Sequence, residues 1–268
     1  MRLTTALSSR RFPTLSIGLA AVLSALAAGC AELPEDHTAI EPEELLSDNG
    51  LKTINGMKVH NGLGLASIGN GLNLASSLKS ASGLTSGSGL MSSADGRSTV
   101  TYLVRCALPA GRTITKTDQY GKSYTFTGQI GVAPGWETGA CNGTCERWVS
   151  ACMLALVNTT GDHYPLWLVA QNSSIGWGLD GAFPFQEGSF FGDIFTSPPY
   201  AYYCGGRDLG ISPIPGRIGS TQVAPPYTNA AGTGGKCLPA CTPADYPHQT
   251  EGVKACFGWN EVVTVFHQ

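Results

Sequence analysis

Two carboxylates among aromatic residues are the sequence's strongest candidates for acid–base chemistry. Glu187 and Asp193 lie six residues apart in segment 183–195, which also contains five phenylalanines. A carboxyl group that aromatic rings shield from water has a raised pKa and can serve as a general acid. Paired carboxylates near tryptophans, here Trp167 and Trp177, are typical of glycoside-hydrolysing clefts. The alternative, which we favour from the sequence, is structural: Glu187 accepts backbone hydrogen bonds in a turn between two strands.

Aromatic residues beside turn-forming residues are candidates for ligand binding. Tyr200 and Tyr202 lie in the segment 198–204, which begins with two prolines; Tyr227 also follows two prolines, and Trp177 lies between two glycines. The faces of Tyr and Trp rings stack on sugar rings and peptide groups at little entropic cost. The hypothesis is a surface that binds a glycan or a protein. The alternative is that these rings fill the core beneath the loops.

The nine cysteines are more than a reduced cytosolic domain of this size usually contains. Apart from Cys30, which is considered below, eight remain, and an even number in an oxidising compartment fits four disulfides without fixing their connectivity. Closely spaced cysteines can also bind zinc. Because the first 29 residues, described next, are typical of an export signal, we expect disulfides, no metal and no cofactor. The predicted disulfide cysteines are Cys106, Cys141, Cys145, Cys152, Cys204, Cys237, Cys241 and Cys256.

The first 29 residues are typical of an export signal. Three arginines precede an uncharged apolar run over residues 15–28, and small residues come directly before Cys30. The sequence Leu26-Ala-Ala-Gly-Cys30 resembles the lipobox of bacterial lipoprotein precursors. This resemblance implies that Cys30 is lipidated, that it becomes the first residue of the mature chain, and that its lipid holds the protein on a membrane. The alternative is an ordinary secretory signal cleaved near Ala28, which would release the protein.

Charge is distributed unevenly along the chain. Residues 31–50 include seven acidic residues and no Lys or Arg, and anionic headgroups repel such a segment. We therefore expect residues 30–54 to be the lipid anchor and a solvated acidic spacer. A net charge of −3 argues against a nucleic-acid partner. Within the lipoprotein resemblance, Ala31 after Cys30 implies the outer membrane of the bacterial cell envelope.

Residues 55–97 are rich in Gly, Leu, Asn and Ser. Leu72, Leu78, Leu84 and Leu90 recur every six residues, a spacing that could line a β-helix with one inward leucine per strand. We expect a flexible tether, with a degenerate β-solenoid stub packed on the domain as the alternative. Residues 31–99 contain no aromatic residue, so a core is not expected there. The globular domain is predicted to span residues 98–268.

The domain is predicted to be mainly β, either sandwich-like or an irregular sheet, with one packed α-helix and several disulfides. A helix is predicted over residues 146–158, with Thr144 as N-cap and an apolar face at Trp148, Cys152 and Leu156. Runs of β-branched and aromatic residues between Gly and Pro turns predict the strands. These runs are 98–108, 122–130, 164–171, 186–195, 201–204 and 261–266.

Four short segments of the domain resemble a group of cysteine-rich lipoproteins from myxobacteria: residues 101–110, 131–136, 145–152 and 186–192. The resemblance covers most of residues 55–268 and implies the envelope location without implying an activity. The sequence has no Gly-x-Ser-x-Gly elbow and no phosphate-binding glycine loop. We therefore expect a membrane-anchored, non-catalytic binding or structural module. The alternative is a carboxylate-dependent hydrolase acting on cell-surface or environmental glycans.

Overall fold

The computed structural model describes residues 51–54, 57–58, 72–80, 82–84, 89–158, 163–197, 199–208, 227–229 and 241–268. All of them belong to the compact unit Glu41–Gln268. The predicted signal segment, the predicted lipidation site Cys30, the acidic residues of the predicted spacer and Cys237 lie outside the described residues.

The described chain is mostly strand, with two α-helices. The helices are α1 (Ala94–Ala107) and α2 (Gly143–Leu156), and 3₁₀ turns span Leu90–Ser92 and Pro134–Glu137. The strands are β1 (Leu51–Ile54), β2 (Met57–Lys58), β3 (Thr113–Thr117), β4 (Ser123–Thr127), β5 (Val157–Asn158), β6 (Pro165–Val169), β7 (Phe185–Asp193), β8 (Tyr200–Gly205), β9 (Tyr227–Asn229), β10 (Cys241–Pro243), β11 (Val253–Cys256) and β12 (Val263–His267). The predicted mainly-β, disulfide-rich class is confirmed, with one more helix than expected.

Helix α1 corrects the strand predicted over residues 98–108. Its β-branched residues favour a strand by composition, but Val100, Leu103, Val104 and Ala107 repeat at helical spacing and all are fully buried. The helix begins after Ser93, whose side chain accepts a hydrogen bond from the N–H of Gly96. Burial of one helical face therefore outweighs the strand propensity of the individual residues.

Helix α2 confirms the helix predicted near residues 146–158, with shifted ends. Its N-cap is Asn142, whose side chain accepts a hydrogen bond from the N–H of Cys145, and not the predicted Thr144. The helix ends at Leu156 because Val157 and Asn158 form β5, which pairs with β2. The prediction located the helix but misplaced its ends, because capping residues determine where a helix begins and ends more than the periodicity of its apolar residues does.

The largest sheet has six strands in the order β1-β6-β12-β7-β8-β9. All neighbours are antiparallel except β8 and β9. The chain's last strand, β12, lies between β6 and β7, so the centre of the sheet forms only when distant parts of the chain meet. Smaller pairs are formed by β3 with β4, by β10 with β11 and by β2 with β5.

Alternating residues of the sheet pack into different clusters because successive strand side chains point to opposite faces. Leu168, Phe190 and Val265 belong to the main core together with buried residues of both helices. Helix α2 packs against β7 and β12. On the alternate positions, Phe266 joins a cluster around Trp167 and Phe183, while Phe191 joins the cysteines of β8, β10 and β11 in another. Strands β10 and β11 carry part of the candidate site.

The core includes side chains that precede residue 98. Leu78, Leu84 and Leu90 are buried in the main core, and Leu72 packs against it and forms an isolated antiparallel bridge with Leu84. The leucines spaced six residues apart thus contact one cluster. The domain start expected at Ser98 falls inside α1, and β1 pairs with β6 in the main sheet.

Three disulfides are placed within the described residues: Cys106–Cys152, Cys141–Cys145 and Cys241–Cys256. The first joins α1 to α2, and the last joins β10 to β11. Cys204 is also disulfide-bonded. The other two cysteines of the sequence, Cys30 and Cys237, lie outside the described residues.

The described residues were also searched for metal sites and membrane spans. They contain no cluster of three or more His, Cys, Asp or Glu side chains arranged to hold a metal ion. None of their helices combines the length and apolar character required to cross a bilayer.

Loop length predicts which disulfide contributes most to stability. Cys106–Cys152 spans 46 residues and Cys141–Cys145 only four, so loop-closure entropy gives about 4 kcal/mol for the first and about 2 kcal/mol for the second. The double variant Cys106→Ala/Cys152→Ala should therefore lose more unfolding free energy in urea than the control Cys141→Ala/Cys145→Ala. Equal losses, or a larger loss in the control, would contradict this entropic account.

Candidate binding surface

Strand β8 places two tyrosine rings side by side. Tyr200 and Tyr202 occupy alternate strand positions, so both side chains project from the same face of the sheet. Their ring centroids are 6.4 Å apart and their planes are inclined by 11°. Tyr200 is 44% exposed and Tyr202 is half-buried. These two predicted ligand-binding residues are therefore brought together at the surface.

The disulfide-linked hairpin of β10 and β11 adds two more rings next to Tyr202. The turn after β11 carries Phe257 and Trp259, and the Trp259 ring lies 6.2 Å from that of Tyr202. Beneath them is the buried ring of Phe191, whose centroid is 5.4 Å from Tyr202, 6.2 Å from Phe257 and 6.3 Å from Trp259. We call Tyr200, Tyr202, Phe257 and Trp259 the aromatic surface.

Phe257 has a backbone conformation that a bulky residue rarely adopts. Its φ is +49°, that of Gly258 is +80°, and the flanking residues Cys256 and Trp259 exchange backbone hydrogen bonds. Tight turns with two positive φ values strongly favour Asn-Gly or Gly-Gly. A left-handed Phe costs about 1–3 kcal/mol, and strain of this kind clusters at functional sites. Phe257 is nevertheless 60% exposed, so burial of its ring does not explain its presence.

An ion pair orients the inner edge of the aromatic surface. The guanidinium of Arg147, in the second turn of α2, donates from Nε and Nη2 to the two carboxylate oxygens of Glu261 at 2.8 and 3.1 Å. The same guanidinium lies 5.9 Å from the Trp259 ring centroid. Bidentate pairing fixes the plane of an arginine and adds geometric specificity. Arg147 therefore holds Glu261 and contacts Trp259 from a rigid helix.

Two carboxylates lie close to this ion pair. Burial raises the pKa of Asp193, at the end of β7, although the N–H of Phe195 and the charge of Arg147 oppose the rise. The pKa of Glu146 is raised by burial and, to a lesser degree, by the negative charge of Asp193. The negative charge of Asp193 therefore acts on Glu146, which the sequence had not singled out.

The predicted pair Glu187 and Asp193 is not brought together. Both residues are buried on β7, six positions apart. At about 3.3 Å per residue their Cα atoms are about 20 Å apart. Retaining and inverting glycosidases need carboxyl groups within about 5–10 Å of each other. The sequence spacing was compatible with a catalytic pair only if the segment turned back on itself, and it forms one strand instead.

Trp177 and Tyr227 are the other two predicted binding residues, and Trp177 packs in a different cluster. The Trp177 ring stacks on His248 with centroids 6.0 Å apart, and it packs against the cluster that contains Trp167 and Phe266. Tyr227 belongs to β9, where its backbone position pairs with Ala201. The Tyr227 side chain lies outside the described part of the chain.

Phe257 and Trp259 are members of the surface that sequence reasoning missed. The available signal was the run Cys256-Phe-Gly-Trp259, in which an aromatic residue stands where a tight turn favours Asn or Gly. That signal indicates an unusual turn, but it does not indicate which residues the turn contacts in the fold. The contact with Phe191 requires β11 and β7 to meet, and the spacing of residues along the chain does not predict that meeting.

Comparison with known proteins does not assign the chain to a family. No protein-family model matches the chain, and no curated protein or solved structure matches it. The function must therefore be inferred from the chemistry of the site itself.

The raised pKa of Asp193 predicts a pH-dependent effect of its replacement. A raised pKa means that the folded chain binds the proton more tightly, so wild-type stability falls as the pH rises from the ordinary value of 3.8 through the folded value. Asp193→Asn keeps an acceptor for the Phe195 N–H but has no charge. We expect its unfolding free energy to exceed that of wild type at pH 7, with the difference disappearing near pH 3. Urea unfolding from pH 3 to pH 8 measures this, and a variant that is less stable at pH 7 would disprove it.

Proposed function

We propose that the domain is a non-catalytic module of the bacterial cell envelope that binds a glycan on the aromatic surface. The observation that carries the proposal is the exposed ring cluster over Phe191, in which Tyr200 and the strained Phe257 face solvent. Sugar rings have apolar C–H faces that stack on aromatic rings, while their hydroxyl groups hydrogen-bond to nearby polar groups. Rings held in place beforehand lose little entropy on binding, which favours affinity.

The elements beneath the rings support a preorganised site. Tyr200 and Tyr202 stand on a strand of the six-stranded sheet, and the Cys241–Cys256 disulfide joins the hairpin that carries the other two rings. Sites on strands and disulfide-linked turns hold their geometry better than sites on long loops. The proposed module therefore binds with little rearrangement.

The charge balance favours a glycan over a charged protein partner. Arg147, whose guanidinium lies 5.9 Å from the Trp259 ring centroid, is already paired with Glu261. A partner protein that relied on charge complementarity would find this cation neutralised. A glycan needs stacking and hydrogen bonds and no net charge.

Attachment to the envelope forms part of the proposal, and the number of cysteines left outside the disulfides supports it. All seven described cysteines outside the N-terminal region are in disulfides, and six of them form the three described bridges. Cys204 bonds to one further cysteine, so a chain whose disulfides are intramolecular has one thiol left among Cys30 and Cys237. A Cys204–Cys237 bridge leaves Cys30 available for the lipid that its lipobox-like context implies.

The hydrolase alternative receives less support from the geometry. Its candidates Glu187 and Asp193 lie at separate ends of β7. We propose binding without turnover, and glycan cleavage that Glu187→Gln abolishes would instead establish the alternative.

Binding should depend on the rings of the aromatic surface. We expect the mature chain in detergent to bind at least one class of polysaccharide on a glycan array. Tyr202→Ala and Trp259→Ala should each weaken that binding about tenfold or more, equivalent to about 1.4 kcal/mol, since central aromatic anchors dominate such interfaces.

The matched control is Tyr120→Ala, which removes an 85% exposed tyrosine from the turn between β3 and β4. It should bind as wild type does. The proposal is wrong if no glycan is bound, if the control loses as much affinity as the two variants, or if a surface protein alone is captured.

Lipidation should depend on Cys30. Cells that express the chain and are fed a clickable palmitate analogue should label the wild type and fail to label Cys30→Ala, because the thiol is the acceptor of the acyl chain. Cys237→Ala is the control and should still be labelled. Persistent labelling of Cys30→Ala would end the lipoprotein proposal, and an unlabelled wild type would favour plain secretion.

A further inference from the structure

An open cleft of about 590 Å³ lies between the first turns of α2 and the segment that leads into β12. This volume is within the range of about 300–1,000 Å³ that ligand sites usually have. Helix α2 contributes two of its lining residues, and the ends of strands and a turn contribute the others. The lining residues are Thr144, Trp148, Gln171, Lys254, Asn260 and Glu261.

The cleft adjoins the aromatic surface through one ion pair. Glu261 lines the cleft and binds both Nε and Nη2 of Arg147. The guanidinium of Arg147 is in turn 5.9 Å from the ring of Trp259, a member of the aromatic surface. Asn260, which also lines the cleft, is the residue between Trp259 and Glu261. A chain molecule lying on the rings can therefore continue into the cleft.

Each charge that lines the cleft already has a partner. The ammonium of Lys254 lies 2.6 Å from the carboxylate of Asp245, and Glu261 is paired with Arg147. A charged sugar entering the cleft would lose hydration without gaining an unpaired counter-charge. The electrostatics therefore select against uronic acids and amino sugars.

The remaining lining groups fit sugar hydroxyls. The side chains of Gln171, Asn260 and Thr144 line the cleft and are exposed, so their amide and hydroxyl groups are accessible to a ligand. Amide and hydroxyl groups both donate and accept hydrogen bonds, as sugar hydroxyl groups do. The half-buried ring of Trp148 supplies an apolar wall in the same cleft. Neutral hydrogen-bonding groups beside an indole ring are the chemistry of a neutral sugar subsite.

We infer that this cleft is a second subsite of the same site and that it holds an uncharged sugar residue of a glycan whose neighbouring residues stack on the aromatic surface. The inference rests on the proposed function and adds two properties to it. The ligand is neutral, and it is long enough to occupy both the rings and the cleft.

The test is a titration of the full mature chain with graded probes. The uncharged probes are glucan, mannan, galactan and N-acetylated chito-oligosaccharides of two to six residues. The charged probes are oligogalacturonides and de-N-acetylated chito-oligosaccharides of the same lengths. We expect affinity to rise with length in an uncharged series, and charged probes to bind at least tenfold more weakly.

The variants separate the cleft from the rings. Gln171→Ala/Asn260→Ala changes two exposed side chains and should keep the wild-type melting temperature. It should weaken binding of the longest neutral probe about tenfold while leaving the shortest bound probe unchanged. Gln119→Ala is the control. It removes an exposed amide in the turn that precedes β4, which donates a hydrogen bond to the carbonyl of Ser92 and not to the cleft, and it should leave the binding of both the longest and the shortest probe unchanged.

The outcomes distinguish this inference from the proposed function. Tyr202→Ala should weaken binding of all lengths. If it does so while Gln171→Ala/Asn260→Ala has no effect on any length, the cleft is not a subsite and the glycan-binding proposal stands. Preferential binding of a charged series overturns the inference in the same way. If no probe binds to wild type, the proposed function and the inference both fail.

Discussion

The packing of α2 on β7 and β12 is the interaction on which the rest of the described structure depends. Three residues of α2, two buried and one half-buried, each bind a different neighbour. Cys152 is bonded to α1, Ser150 accepts the N–H of Ile194 just after β7, and Arg147 binds Glu261 just before β12. One helix thus fixes its partner helix and the ends of both central strands. Because β12 is the last strand of the chain, this packing also closes the fold.

The candidate site depends on that arrangement because it combines parts that are distant in sequence. Strand β8 provides Tyr200 and Tyr202, whereas the hairpin after β11 provides the other rings of the aromatic surface. The Arg147–Glu261 pair lies where these parts meet and neutralises the charge there. Stacking groups, hydrogen-bonding amides and paired charges are therefore neighbours. The proposal of a neutral glycan as the ligand rests on these three features.

Patterns of neighbouring residues in the sequence predicted those elements whose structure depends on neighbouring residues. The periodicity of Trp148, Cys152 and Leu156 located α2, and the aromatic run over residues 201–204 located most of β8. Composition failed for α1, because its β-branched residues hid a helical pattern of burial that only the folded core reveals. Glu187 and Asp193, the weaker catalytic hypothesis, are far apart because a spacing of six residues means proximity in a turn and separation along a strand. The contact of β11 with β7 is tertiary, so no spacing along the chain indicated it.

The hairpin of β10 and β11 has a consequence for when the chain becomes competent. Its strands have three and four residues, and a two-stranded ribbon of that size is marginal in water. The Cys241–Cys256 bond therefore sets the position of half of the aromatic surface. Such bonds form outside the reducing cytoplasm. With the proposed export, the aromatic surface of a newly made chain is completed only after the chain leaves the cytoplasm, so the proposed glycan site forms only in the compartment where it would act.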